Sequence, residues 1–335
     1  MNTDIAAYAA AVDALVASPI RPKRRHAPTD MLARLHAAGA ALVSEPMPLA
    51  AARLLGAAAR PQSWVFILTG VYDPIQLPFG ETDGPPGVAS LARALDVGLE
   101  AKPVVLCEEQ VMPSMELSCL AAGLLPVRDA DHAAKKAHAV LLLPFPIASL
   151  DVSRRHADDL IARYAPSVVI SVERIAGNEK GRHHYAVGTP ILHEANLEAV
   201  AASAIAGKIP IVAVGDGGNE IGMGSMLEQV REIVPYGRVC QCDCGSGIAC
   251  ATPADVLVVA NTSNLGAYGI SACLGMLLAK PQLMHDRVME RRLLDAVAAA
   301  RCLDGGFVSP SVDGTGDASL AIVELLHRVT HFACA

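Results

Sequence analysis

The residues best suited to chemistry in this chain are carboxylates and amides gathered in short, glycine-rich segments. Glu81, Thr82 and Asp83 stand in ETDGPPG, and Asp216, Asn219 and Glu220 stand in GDGGNEIGMG, residues 215–224. Several oxygen ligands within a few residues suit a hard divalent cation such as Mg²⁺ or Mn²⁺, and the glycines let backbone approach a ligand. In ETDGPPG the prolines stiffen the loop and hold its acids in place, and a helix starting at Val88 would offer free N–H groups to a carboxylate or phosphate. A third segment sets Glu173 and Arg174 ahead of Asn178, Lys180, His183, His184 and Tyr185. An arginine there could clamp a substrate carboxylate bidentately while a glutamate or histidine moves protons.

Plainer readings stand beside these. Asp83 could cap the following helix, the glycine-rich segment could be a tight strand-to-helix turn, and Glu173 to Tyr185 could be a surface loop with a local ion pair. GDGGNEIGMG is not the dinucleotide fingerprint, because Glu220 stands where GxGxxG needs glycine, and no GxxxxGK[ST] occurs, so NAD and ATP lose their usual support. Cys240, Cys242 and Cys244 form CxCxC without the paired CxxC knuckles or a nearby histidine of a zinc site. A buried strand of alternating small residues is expected there instead, with cysteines dispensable for chemistry. His193-Glu194 lacks the HExxH partner and reads as structural. The turns at Asp304 and Asp313 either close over the site or are only tight turns.

Positioning these groups requires parallel strands. Short β-branched runs recur at Trp64–Leu68, Pro103–Leu106, Ala139–Leu143, Ser167–Val172, Pro210–Val214 and Ala254–Val259. Helix-compatible stretches lie between most of them, including Val88–Val97, Asp151–Tyr164, Leu197–Ala206 and Ala267–Leu278. Continuous apolar strands imply burial on both faces, so the expected fold is α/β, a mostly parallel sheet flanked by helices on both faces. Open parallel sheets bind ligands beyond their carboxyl edge, where Thr69-Gly70, Glu81 to Gly87, Glu108-Glu109, Glu173-Arg174, Gly215 to Glu220 and Asn261 to Asn264 all fall. Residues 1–60 read as a helical lead-in or lid, with helices at about Thr3–Ser18 and Thr29–Val43 around a basic loop, Arg21–His26. That loop is read as solvated, with anion or substrate binding as the lesser alternative. Residues 61–335 form the α/β domain, and no internal repeat is visible.

Composition narrows the partners. With 27 Lys and Arg against 34 Asp and Glu, the net charge of −7 gives no field to attract nucleic acid or anionic lipid. No apolar run is long enough to span a bilayer, and the N-terminus lacks a secretory pattern, so a cytoplasmic protein with reduced cysteines is expected. The expected partner is a small carboxylic or amino acid, with neither nucleic acid nor membrane, and assembly into a homo-oligomer is left open.

The strings TGVYDP, ETDGPPG, ERIAGNEKGRHHY, VGDGGNEIGMG and ANTSNLGAYG, in this order, resemble the D-glutamate cyclase C-terminal domain family from about Trp64 to Thr330. The resemblance implies metal-assisted dehydration of D-glutamate to 5-oxo-D-proline, or action on a closely related acid. It makes Glu173 the general base, Arg174 the carboxylate clamp and Asp216 a further catalytic group. Glu81, Asp83, Asp216, Asn219 and Glu220 become ligands of a Mg or Mn ion, and Thr69, Gly70, Thr82, Gly217, Gly218, Asn261 and Asn264 substrate contacts. The rival readings are a Mn- or Mg-dependent hydrolase of a phosphate ester or cyclic amide, and a non-catalytic binder of a small acid.

Overall fold

The computed structural model describes residues 3–22 and 27–335. Seven strands form one parallel sheet: β1 (Trp64–Leu68), β2 (Lys102–Cys107), β3 (Leu125–Val127), β4 (Ala139–Pro144), β5 (Val168–Val172), and, after the two-stranded antiparallel ribbon β6 (His183–His184) and β7 (Pro190–Ile191), β8 (Ile211–Gly215) and β9 (Val256–Val259). The order across the sheet is β3-β4-β2-β1-β5-β8-β9, with every neighbouring pair parallel. A short antiparallel pair, β10 (Leu303–Asp304) and β11 (Phe307–Val308), lies apart from the sheet. β3, unforeseen in the sequence, is an edge strand of three residues with Pro126 at its centre, a composition that reads as a turn.

Among the described residues twelve helices surround the sheet: α1 (Thr3–Val16), α2 (Met31–Ala40), α3 (Met47–Ala58), α4 (Pro85–Leu99), α5 (Met112–Ala121), α6 (Ala130–Lys135), α7 (Leu150–Tyr164), α8 (Glu198–Ala206), α9 (Leu227–Ile233), α10 (Ser263–Leu278), α11 (Arg287–Ala299) and α12 (Asp317–Cys334). α7 packs on α8, while α4 packs on α10. The lead-in joins this core: α1 lies against α10 and α12, α3 against α10 and β9, and Val12, Val16, Leu49 and Leu55 are buried in the same apolar cluster as the strands. Lys23 to His26 of the expected basic loop lie outside the described residues. No described helix is long and apolar enough to cross a membrane.

The strand order places the topological switch between β1 and β5. From β1 the chain passes outward to β2 and on to β3 at the edge, comes back to β4 between them, then returns to β5 and winds the other way through β8 and β9. Connections at such a point leave in opposite directions and open a crevice at the carboxyl ends of the two strands.

Two helices that start there begin earlier than their apolar periodicity suggests, and they cap one another. α4 takes Pro85 and Pro86 into its first turn, where proline's missing N–H costs nothing. α10 starts at Ser263, with the Thr262 hydroxyl accepting from Leu265 N–H. Asn264 Oδ1, at the start of α10, accepts from the backbone N–H of Gly84 (3.0 Å) and Gly87 (2.7 Å) at the start of α4. In return Asp83, just before α4, accepts from Ser263 N–H (2.9 Å, Oδ2) and Asn264 N–H (2.8 Å, Oδ1). This approach requires glycine: a Cβ at Gly87 would lie 2.8 Å from Asn264 Oδ1, and Gly84 has φ +103°.

Packing of α10 on the sheet is as close. A Cβ on Gly266 would sit 2.4 Å from Val214 Cγ1, whereas one on Gly56, on the exposed side of α3, meets nothing within 4 Å. Glycine to alanine adds about 1 kcal/mol of helix propensity at either position, while overpacking a tight core costs about 1–3 kcal/mol. Gly56→Ala is expected to raise the urea midpoint of unfolding and Gly266→Ala to lower it. A Gly266→Ala protein as stable as the parent would show that the α10 and β8 backbones can separate freely.

Candidate active site

Three of the loops leaving the carboxyl edge bring a carboxylate to one point. Asp83 arrives on the loop after β1, Glu173 follows β5 directly and Asp216 follows β8 directly, and one oxygen of each lies within 4.8 Å of the others. All three line a cavity of about 120 Å³ that Glu81, Tyr185 and Asp313 also face. Two unit charges 4.8 Å apart repel by about 3–4 kcal/mol at an effective dielectric constant near 20. Burial, then Asp216 and Asp313, pushes the Asp83 carboxyl well above the usual carboxylate range. Burial, then Asp216, Glu220 and Asp83, does the same to Glu173.

Each carboxylate is held differently. Asp83 sits on the N-terminus of α10, where the backbone N–H groups favour its charge. Glu173 has φ +48°, a left-handed conformation that costs a residue with a Cβ about 1–2 kcal/mol and turns the side chain back toward the crevice. Its Oε2 accepts from the Ser263 hydroxyl at 2.5 Å, and no donor among the described residues reaches Oε1. Asp216 Oδ2 accepts from Arg21 Nη1 at 2.9 Å, and the same nitrogen reaches Asp313 Oδ2 at 2.6 Å. Burial works against the Arg21 charge, but Asp216 and then Asp313 outweigh it and raise its pKa. Arg21 is a cation that the favoured sequence reading did not bring to the site. It belonged to a loop read as solvated, and nothing local ties position 21 to positions 216 and 313. The Asp313 turn, left open between two readings, closes over the site.

Arg174, expected to clamp a substrate carboxylate, is held inside the protein. Its side chain is 0% exposed and grips Glu108 bidentately, at 2.9 Å from Nη1 to Oε2 and 2.8 Å from Nη2 to Oε1. It also donates to Gly70 O at 2.6 Å and to Ala195 O, and pairs with Glu194 at 3.4 Å. Glu194 in turn pairs with His183 at 3.3 Å, and His183 with Glu198 at 2.8 Å. This is an internal ion network beneath the crevice. Adjacent in sequence just past β5, Glu173 lines the crevice while Arg174 turns into the internal network.

Glu220 serves the backbone. Its Oε1 accepts from the N–H of Asp216 (3.0 Å) and Gly217 (2.6 Å) and its Oε2 from Gly218 (2.7 Å), so it shapes the loop that presents Asp216. Asn219 Nδ2 donates to His184 O at 2.8 Å. Gly218, with φ +100°, lets that turn close against Val230. Of the expected substrate contacts, Thr69 Oγ1 and Asn261 Oδ1 are buried without a hydrogen-bond partner; Asn261 lines a second cavity, of about 260 Å³, with Arg21. Thr82 gives its carbonyl to Asn264 Nδ2 at 3.1 Å.

The expectation of a buried strand at Cys240 to Cys244 is also overturned. The segment is an irregular turn whose three sulfurs face inward, and the β6–β7 ribbon brings His184, 58 residues before Cys242, to Nε2–Sγ distances of 3.2 Å from Cys242 and 3.8 Å from Cys244. Sequence spacing hid the histidine because the ribbon, not a knuckle, supplies it.

A doubly wound α/β protein with an acidic crevice at the switch point is thus defined. Residues 32–325 match the family model described as D-glutamate cyclase-like, C-terminal, and the chain belongs to that family. It is 28% identical over 204 residues to human D-glutamate cyclase, mitochondrial, an alignment covering 59% of this chain and 30% of that protein.

Because Arg174 is internal, Arg174→Met leaves Glu108 buried without its counter-charge and Glu194 with His183 alone, a loss of about 3–5 kcal/mol. The urea midpoint should fall accordingly. A variant of unchanged stability with only a raised KM would restore the clamp.

Proposed function

We propose that the crevice cyclises D-glutamate to 5-oxo-D-proline with loss of water. The observation that carries the reading is the convergence of the Asp83, Glu173 and Asp216 carboxylates on one small cavity, where they repel one another. A ligand that brings a cation relieves that repulsion, and the ammonium of an amino acid does so at the atom that must react. Family membership and the distant human relative favour glutamate as the acid.

Ring closure needs the amine uncharged and poised on the side-chain carboxylate. Glu173 is the group to take the ammonium proton, because Oε1 is unengaged by protein donors and its raised pKa makes the carboxylate a better base than a surface glutamate. The amine then attacks the carboxylate carbon and gives up a second proton; both protons pass to the departing oxygen, the C–O bond breaks and water leaves. Arg21, held by Asp216 and Asp313 at the rim, is a cation available to the other carboxylate of the substrate, and Arg174 is engaged by Glu108 and Glu194. The unpartnered oxygens of Thr69 and Asn261 remain to orient the polar ends of the ligand.

The hard oxygen donors fit a Mg²⁺ or Mn²⁺ ion, which Asp83 and Asp216 would hold. Bound there, it would make the attacked carboxylate more electrophilic.

Chiral chromatography of reactions with each glutamate enantiomer, with and without added Mn²⁺ or Mg²⁺, tests the proposal. 5-Oxo-D-proline is expected from D-glutamate, with Glu173→Gln lowering kcat about 10²- to 10⁴-fold and Arg21→Ala chiefly raising KM. No 5-oxoproline from either enantiomer, together with metal-dependent phosphate release from an ester, would replace this reading with the hydrolase.

A further inference from the structure

Away from the carboxylates, three cysteines and a histidine face one another. Cys240 Sγ lies 3.3 Å from both Cys242 Sγ and Cys244 Sγ, and with His184 Nε2 at 3.2 and 3.8 Å from the latter two, all four donor atoms fall within 4.8 Å of one another. Donors bound to one tetrahedral zinc, at about 2.3 Å for sulfur and 2.0–2.1 Å for nitrogen, stand roughly 3.5–3.8 Å apart. The observed spacings surround that range, and all three cysteines are free thiols.

Two further features prepare the group for a metal. His184 Nδ1 lies 3.0 Å from Arg182 O, which places its proton on Nδ1 and leaves the Nε2 lone pair directed at the sulfurs. Asn178 Nδ2 reaches Cys244 Sγ at 3.4 Å and Gly247 O at 2.6 Å, so one amide both supports a thiolate and fixes the end of the turn. That turn folds back on itself at Gly245 (φ +64°) and at Gly247 (φ +71°), where a Cβ would lie 2.1 Å from Gly237 O.

We infer that His184, Cys240, Cys242 and Cys244 form a structural zinc site, separate from the acidic crevice. Soft sulfur donors with one imidazole select zinc over Mg²⁺ or Mn²⁺, and four protein ligands leave no position open for substrate. Binding converts the three thiols to thiolates, releasing their protons to solvent, while His184 enters neutral. The ion ties the turn at 240–244 to the β6–β7 ribbon. His184 is followed by Tyr185 and Ala186, both in the wall of the carboxylate cavity, and its carbonyl receives Asn219 Nδ2 from the loop that carries Asp216. The metal would thereby brace one wall of the crevice without entering it.

The test uses the full chain purified under reducing conditions without chelator. Elemental analysis should find one zinc per chain, and replacement by Co²⁺ should give sulfur-to-cobalt charge-transfer absorption with the intense d–d bands of tetrahedral coordination. Asn178→Ala should weaken zinc binding about 10- to 100-fold, as loss of a supporting hydrogen bond does elsewhere. Cys334→Ser and Asp216→Asn should leave zinc content unchanged, the second because Asp216 belongs to the other site. Should Cys242→Ser/Cys244→Ser be poorly soluble, the cobalt spectrum of the parent chain still decides. Parent protein that holds no zinc and takes up Co²⁺ without thiolate bands, or bands that persist in the double variant, would overturn the site.

Discussion

Three buried carboxylates forced together at the switch point set the terms for the rest of this structure. Placing Asp83, Glu173 and Asp216 within 4.8 Å of one another is unfavourable in itself, so each needs a separate device to hold it. Asp83 is stabilised by the first turn of α10, Glu173 is fixed by a left-handed backbone and the Ser263 hydroxyl, and Asp216 by the Arg21 guanidinium. These devices come from the lead-in, from both halves of the sheet and from the C-terminal turn at Asp313. The crevice is therefore assembled only when the whole chain has folded.

Beneath that layer lies one of opposite character, in which charge is satisfied internally. Arg174, Glu108, Glu194 and His183 neutralise one another out of water, and the Glu220 carboxylate is consumed by three backbone N–H groups. Such a network adds little net stability compared with apolar packing, but breaking one member is expensive, which suits a platform whose geometry must not drift. Glu108 and Glu220, consumed by internal partners, differ in this from Glu173, whose Oε1 no donor among the described residues reaches.

Much of the fold could be read from the sequence, because a buried parallel strand leaves a continuous β-branched run. The run at Trp64–Leu68 has the observed limits, and the other five expected strands differ from the observed ones by no more than two residues at either end. Edge strand β3 escaped because three residues around a proline carry no period. The grouping of acids at the carboxyl edge was equally legible, since position after a strand is a local property. Partnership was not: Arg174 looked like a clamp and proved to be internal, Arg21 looked solvated and proved to face Asp216, and His184 proved to face a cysteine turn. All three depend on contacts between distant segments, which spacing along the chain does not encode.

The central claim is that the clustered carboxylates of the crevice recognise the ammonium of an amino acid. Isothermal titration of the protein with D-glutamate and with glutarate, which keeps both carboxylates and lacks the amine, measures this directly. The account predicts saturable binding of D-glutamate and no detectable heat from glutarate at the same concentrations. Equal affinity for the two would contradict it, because the acidic cluster would then contribute nothing to recognition.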